Sequence, residues 1–208
     1  MKQRMAWRGT TGSIGEQTLD IVRVHHNKGE VAVLTAGRNW QRLAEQAAEI
    51  QPDAVVSADE EYYKPLSDAL SKYPIKVYAG AEAIEQVVVG DMADVVVNAL
   101  VGYAGMSPSL AAVRSGKKLA LANKESLVIA GKQIIESALE NRAAILPVDS
   151  EHSAIFQSIV GEPSAIHRLI LTASGGPFLR TPVEELERVT VEQALRHPNW
   201  SMGAKITV

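Results

Sequence analysis

The 208 residues are 46% hydrophobic and 22% charged, enough apolar material for a sizeable core, and 21 Lys and Arg against 24 Asp and Glu leave a net charge of −3. With no basic patch or block of like charge, the balance argues against nucleic acid or a membrane surface as partner, and no apolar run approaches the ~18 residues of a membrane span. The chain has no cysteine, which excludes disulfide frameworks, Cys-ligated zinc and thiol nucleophiles and is compatible with a reducing cytosol, so a soluble, untargeted, cytoplasmic protein is expected.

The chain opens on KQRMAWR, a poor strand on paper because Trp7 and Arg8 stand where small or branched apolar residues are expected. GTTGSIGEQTLDIV, residues 9–22, follows, with three glycines at a GxxGxxG spacing before a helix whose apolar positions include Leu19, Ile21 and Val22. Glycines between a strand and a helix let the backbone approach a pyrophosphate, and the helix start offers unpaired N–H groups. The spacing departs from GxGxxG, so an ordinary Gly-rich turn stands beside the dinucleotide reading.

VAVLTA (31–36) reads as the next strand, and AGRN after it occupies the place where an acidic residue would meet a free ribose 2′-OH. Gly37, Arg38 and Asn39 offer a cation and no carboxylate, which favours NADP(H) over NAD(H); the alternative is a solvated loop arginine. NWQRLAEQAAEI then places Leu43, Ala47 and Ile50 on one helical face with Asn39 as N-cap. DAVVSA (53–58), IKVYA (75–79), DVVVNAL (94–100), KLALA (118–122) and AAILPV (143–148) read as further buried strands separated by helical segments. This alternation predicts an α/β fold, a doubly wound parallel sheet ending near residue 149. Beyond about residue 160 the rhythm changes to one strand, IHRLILTAS, a Gly-Gly loop, two short helices and a final KITV, the mark of a second domain.

Polar clusters punctuate the later elements. Asn123, Lys124 and Glu125 interrupt ALANKESLV before a helix, as a site or as a surface ion pair with an Asn cap. Asp149 and Glu151 follow the last strand two residues apart, so an extended backbone would aim both carboxylates the same way, toward Mg²⁺ or Mn²⁺. In the alternative, Asp149 or Ser150 caps a helix whose Ile155, Phe156 and Ile159 face the core. SGGPF at 174–178 suggests an anion nest or a turn, and RHPNWSMG at 196–203 leaves His197 and Trp200 on a loop, as a lid or as a staple of the core.

GTTGSIG, AGRN, ALANKESLV, LPVDSEHSAIFQS, SGGPF and HPNWSMG, in this order and at these separations, closely resemble the 1-deoxy-D-xylulose 5-phosphate reductoisomerase family over essentially the whole chain. The resemblance implies a Rossmann-like NADPH-binding domain over 1–149 and the first part of an α+β catalytic domain over 150–208. It implies NADPH contacts from Thr11, Gly12, Ser13, Ile14, Gly37, Arg38, Asn39, Asn123, Glu125 and Gly203. Asp149 and Glu151 become ligands of Mg²⁺, Mn²⁺ or Co²⁺. Lys124, Glu151 and His197 take catalytic roles, and Ser150, His152, Ser174 and Trp200 meet a small phosphorylated sugar, Trp200 from a mobile loop. The reaction implied is a skeletal rearrangement followed by hydride transfer, in a protein that is a homodimer at full length.

Two departures bear on this. Arg8 replaces an apolar residue at the end of the first strand, which is expected to weaken its packing and to disturb the glycine turn. The family also continues past the position of Val208 into a third metal carboxylate, an Asn and a Lys at the substrate phosphate, and a helical domain, so the 208 residues alone are expected to be inactive. A semialdehyde dehydrogenase, the rival oxidoreductase, needs a nucleophilic Cys that the sequence lacks. A non-catalytic cofactor-binding module is the other rival reading.

Overall fold

The computed structural model describes residues 2–172 and 175–196. It divides after Val160 into two units. The first alternates strands and helices: β1 (Gln3–Arg8), α1 (Ser13–Val24), β2 (Gly29–Ala36), α2 (Trp40–Ile50), β3 (Ala54–Ser57), α3 (Tyr63–Leu70), β4 (Lys76–Ala79), α4 (Ala81–Val89), β5 (Val95–Asn98), α5 (Met106–Arg114), β6 (Lys118–Leu121), α6 (Glu125–Glu140), β7 (Ile145–Pro147) and α7 (Ser150–Ile159). The seven strands form one sheet in the order β4-β3-β2-β1-β5-β6-β7, with every pairing parallel. This is the α/β, Rossmann-like doubly wound sheet expected.

Helices cover both faces, which is why the central strands read as unbroken apolar runs. On one face Trp7, Leu34, Val55 and Val97 pack with Leu19 of α1, Leu43 and Ala47 of α2, and Leu66 and Leu70 of α3. On the other, Ala6, Ala32 and Val56 meet Ile84 and Val87 of α4. Farther along that face, Val96, Leu119 and Leu121 meet Ala112 and Val113 of α5 and Ile134 of α6. The first strand, poor on paper, is the centre of the sheet: it pairs with β2 along its whole length and with β5 over Met5–Arg8. Trp7 is fully buried there, among the apolar side chains of α1, α2 and α3. Arg8 is also buried, on the Ala6 face, and its Nε and Nη1 find no partner.

Three expectations need correction. Ile21 is 59% exposed, so the core face of α1 is carried by Leu19 and Val22 without it. Helix α7 buries none of its residues, and Phe156 and Ile159 stay more than a third exposed. It follows β7, the edge strand of the sheet. In the second unit the described part of IHRLILTAS forms no strand, because a strand needs a ladder partner and none is present among the described residues. That unit shows the two short helical segments expected, Val183–Arg188 and a final turn, α8 (Val191–Ala194), entered through a Thr190–Gln193 capping box.

Candidate active site

In a parallel sheet all strands end on the same edge, and ligands collect there at the point where strand order reverses. Here the chain winds outward from β1 to β4, then crosses to β5 and winds the other way, so the reversal lies between β1 and β5. Every described candidate residue follows one of these strand ends.

The glycine turn leaves β1 directly. Gly9 has φ +81°, a left-handed conformation that suits glycine, and a Cβ on Gly15 would stand 2.3 Å from the Thr10 carbonyl oxygen, so α1 starts pressed against the turn. The Thr10 N–H and hydroxyl both donate to Thr35 O of β2, at 3.2 Å each. Gly12 begins α1 as its N-cap without a side-chain cap, and Gly12, Ser13 and Ile14 are exposed, with Thr11 half-buried. A helix start with free N–H groups and no covering side chain fits a pyrophosphate.

Gly37, Arg38 and Asn39 are exposed at the end of β2. Asn39 Oδ1 accepts from Arg42 N at 3.3 Å, the expected cap of α2. Gly37 and Arg38 line an open cleft of ≈ 520 Å³ together with Ala58, Asp59, Glu60, Gly80 and Ala81. Its size, with a guanidinium at the wall, fits the adenosine end of a dinucleotide bearing a 2′-phosphate. Asp59 and Glu60 are additions to the sequence reading. They lie beside Arg38 because β3 neighbours β2, and the signal available in the sequence was an acidic run, ADEE, immediately after a strand.

Asn123 lies at the end of β6 but is 1% exposed. Its Nδ2 donates to Leu100 O, Gly102 O and Glu125 Oε2, each at 3.0 Å, and its Oδ1 accepts from the Ser126 N–H and hydroxyl. Asn98, fully buried at the end of β5, donates to Gly105 O and Ser109 Oγ and accepts from Leu100 N. Two buried amides therefore hold the 99–105 loop that flanks the β1/β5 reversal, and Asn123 supports that loop rather than presenting an exposed surface of its own.

Lys124 Nζ lies 2.8 Å from Asp149 Oδ2, and His152 Nδ1 lies 2.6 Å from Asp149 Oδ1. Burial pushes the Asp149 carboxyl up, but hydrogen bonds from Lys124, His152 and the His152 N–H outweigh it and hold the group below the usual carboxylate range. The Asp149 hydrogen bond raises the Lys124 ammonium in turn. Asp149 is also the N-cap of α7, so the cap reading is realised and the extended backbone expected to align Asp149 with Glu151 is absent: β7 ends at Pro147 and Glu151 already lies in the helix. Glu151 accepts instead from Ser150 Oγ at 2.9 Å. The two carboxylates are hard oxygen donors of the kind Mg²⁺ and Mn²⁺ take. Among the described residues, however, no three His, Asp or Glu side chains converge, so they fit as part of a metal site. Lys124, Asp149 and His152 also wall a small hollow of ≈ 40 Å³ floored by Leu121, Leu127, Ile145 and Pro147. Ser174, His197, Trp200 and Gly203 lie outside the described residues, and no described helix is long and apolar enough to cross a membrane.

Comparison with known proteins bears directly on this site. Residues 5–131 match the family model described as 1-deoxy-D-xylulose 5-phosphate reductoisomerase, and residues 145–208 match the model of that enzyme's C-terminal domain. Reductoisomerases of that name from Bacteroides fragilis and Porphyromonas gingivalis are 52% and 51% identical to the chain over all of its 208 residues, which cover 54% of each relative. The Zymomonas mobilis reductoisomerase in complex with NADPH superposes with a TM-score of 0.88 at 41% identity, over 95% of this chain and 52% of that one. A DOX-P reductoisomerase in complex with NADPH, fosmidomycin and magnesium superposes with a TM-score of 0.87 at 39% identity, over 97% of this chain and 52% of that one. The chain thus spans about half the length of the relatives it matches. Its glycine turn, its Arg38 cleft and its Lys124–Asp149 cluster all lie within matched segments, and the chain belongs to the 1-deoxy-D-xylulose 5-phosphate reductoisomerase family.

Proposed function

We propose that the chain supplies the NADPH site and two metal ligands of an oxidoreductase that converts 1-deoxy-D-xylulose 5-phosphate to 2-C-methyl-D-erythritol 4-phosphate in non-mevalonate isoprenoid biosynthesis. The observation that carries this reading is the arrangement of the glycine turn, the Arg38 cleft and the Lys124–Asp149–His152 cluster along one edge of one sheet. Relatives of that name crystallise with NADPH and with magnesium, which supports the same assignment of ligands here.

In this reading Thr11, Gly12, Ser13 and Ile14 hold the pyrophosphate at the uncovered start of α1. Gly37, Arg38 and Asn39 receive the 2′-phosphate, with the Arg38 guanidinium as its charge partner. Asn123 and Glu125 keep the 99–105 loop in place over the cofactor. Asp149 and Glu151 bind Mg²⁺, Mn²⁺ or Co²⁺, which when bound polarises substrate oxygens while NADPH supplies the hydride. Lys124, held as ammonium by Asp149, sets positive charge beside a phosphorylated, oxygen-rich substrate, and Ser150 and His152 offer it hydrogen bonds. The resemblance of their motifs to the family assigns Ser174, His197 and Trp200 to the substrate and Gly203 to the cofactor. The whole protein is a cytoplasmic homodimer.

The test is a fluorescence titration of the 208-residue chain with NADPH, followed by an NADPH-oxidation assay with 1-deoxy-D-xylulose 5-phosphate and Mn²⁺. Saturable binding without oxidation is expected, because among the described residues no third carboxylate or histidine joins Asp149 and Glu151 for a cation that asks for near-octahedral coordination. Failure to bind NADPH would overturn the cofactor assignment. Robust turnover by the chain alone would show that Asp149 and Glu151 suffice, against the partial metal site described above.

A further inference from the structure

Gln46 is a polar side chain buried to 0% exposure in the middle of α2, and no surface role accounts for it. Its Nε2 donates to the Thr10 carbonyl at 3.0 Å and to Glu16 Oε1 at 2.9 Å, so both amide hydrogens are used. Glu16, in the first turn of α1, accepts two further bonds from Arg42, Nε at 2.6 Å and Nη2 at 2.8 Å. Arg42 stands in the first turn of α2, where its own N–H is capped by Asn39. Hydrogen bonds therefore link the glycine turn through Gln46 and Glu16 to the Arg42 guanidinium, and the Arg42 side chain joins it to the main-chain N–H bonded by Asn39, the neighbour of Arg38.

The two ends of that path are the two phosphate-binding segments of the function proposed above, on which this inference rests. A dinucleotide carrying a 2′-phosphate has its pyrophosphate and its 2′-phosphate at a separation set by the adenosine, and it gains from both anchors only when the protein presents them at that separation. A cofactor without the 2′-phosphate uses the turn alone. The planar Gln46 amide and the bidentate Glu16–Arg42 pair are stiff, directional links, suited to fixing a distance. We propose that Gln46, with Glu16 and Arg42, is a positioning strut that sets discrimination for the 2′-phosphate by holding the Arg38 segment in register with the glycine turn.

The strut and a merely structural role are separated by the ratio of two affinities. Gln46→Met keeps the volume and removes both donors, while Arg42→Met breaks the link at its half-exposed end, where the core is untouched. NADPH and NADH are titrated against the chain and both variants, with amide hydrogen exchange over residues 10–16 and 37–42 read in parallel. In each variant the NADPH Kd is expected to rise about tenfold, as for a lost charge-assisted contact, with the NADH Kd within about twofold. Exchange should rise in both segments, and Arg42→Lys should recover part of the ratio. Equal changes in both Kd values, or none, in Arg42→Met would overturn the strut while leaving the NADPH site standing. Unmodified chain that binds neither dinucleotide, or both equally, would overturn the cofactor reading and the strut with it.

Discussion

Lys124 Nζ and Asp149 Oδ2 are 2.8 Å apart, joining the end of β6 to the end of β7 through the carboxylate proposed as a metal ligand. The ammonium and a divalent cation compete for that oxygen. Asp149 stays ionised without Lys124, because His152 Nδ1 and the His152 N–H still bond its Oδ1. Lys124→Gln should therefore tighten Mn²⁺ binding by about fivefold, the equivalent of the ~1 kcal/mol of a partly exposed ion pair. Calorimetric titration of Mn²⁺ into the two proteins reads this directly, and unchanged or weaker affinity in Lys124→Gln would place the cation elsewhere.

Arg8 is 7% exposed, and neither its Nε nor its Nη1 has a partner. Burial lowers its pKa to about 10 against a weaker opposing pull from Glu85, so the group is still a cation at neutral pH inside an apolar face. Replacing it by an apolar residue of similar reach removes that desolvation cost. Arg8→Met should stabilise the protein by roughly 1–3 kcal/mol, seen as a higher urea midpoint at unchanged slope. A lower midpoint would mean that the guanidinium is solvated or paired in solution.

The Arg42 hydrogen bonds lower the Glu16 carboxyl below its ordinary value of 4.5, against a smaller upward push from burial. A depressed carboxylate stabilises the fold above its unfolded pKa and ceases to do so as pH falls through its folded pKa. Glu16→Gln should thus cost about 0.5 kcal/mol at pH 7, small because both side chains are roughly a third exposed. The difference between the two proteins should shrink once pH falls below 4.5. Urea midpoints measured from pH 7 to pH 3 give the comparison, and a gap that widened on acidification would assign the pKa shift the wrong sign.

The sheet was legible where its strands are buried on both faces, since Val31–Ala36, Ala54–Ser57 and Val95–Asn98 read as plain apolar runs. β1 was harder to read because Trp7 and Arg8 break that pattern, and only the ladders offered by β2 and β5 make it central. For α7 the apolar spacing was visible but its covering was not, because periodicity says which face is apolar and never whether a neighbour exists. The glycine turn and AGRN were legible as dinucleotide-site candidates from local pattern alone, and both lie at strand ends of the sheet. The placement of Asp59 and Glu60 beside Arg38, and of Gln46 beneath Thr10, depends on strand order and helix packing, which no local pattern carries. Asp149 was read with both of its options, and the structure shows it capping α7 while also holding Lys124 and His152.

The assignment of the 2′-phosphate to Arg38 stands at the centre of the account, and the dinucleotide preference of Arg38 variants tests it most directly. Fluorescence titration should show NADPH binding the chain more tightly than NADH, by about tenfold or more for a charge-assisted phosphate contact. Arg38→Ala should remove most of that advantage while sparing NADH, and Arg38→Asp should reverse the order by offering a ribose 2′-OH its acceptor. Equal affinities for the two cofactors in the unmodified chain, or an NADPH affinity indifferent to Arg38→Ala, would contradict it.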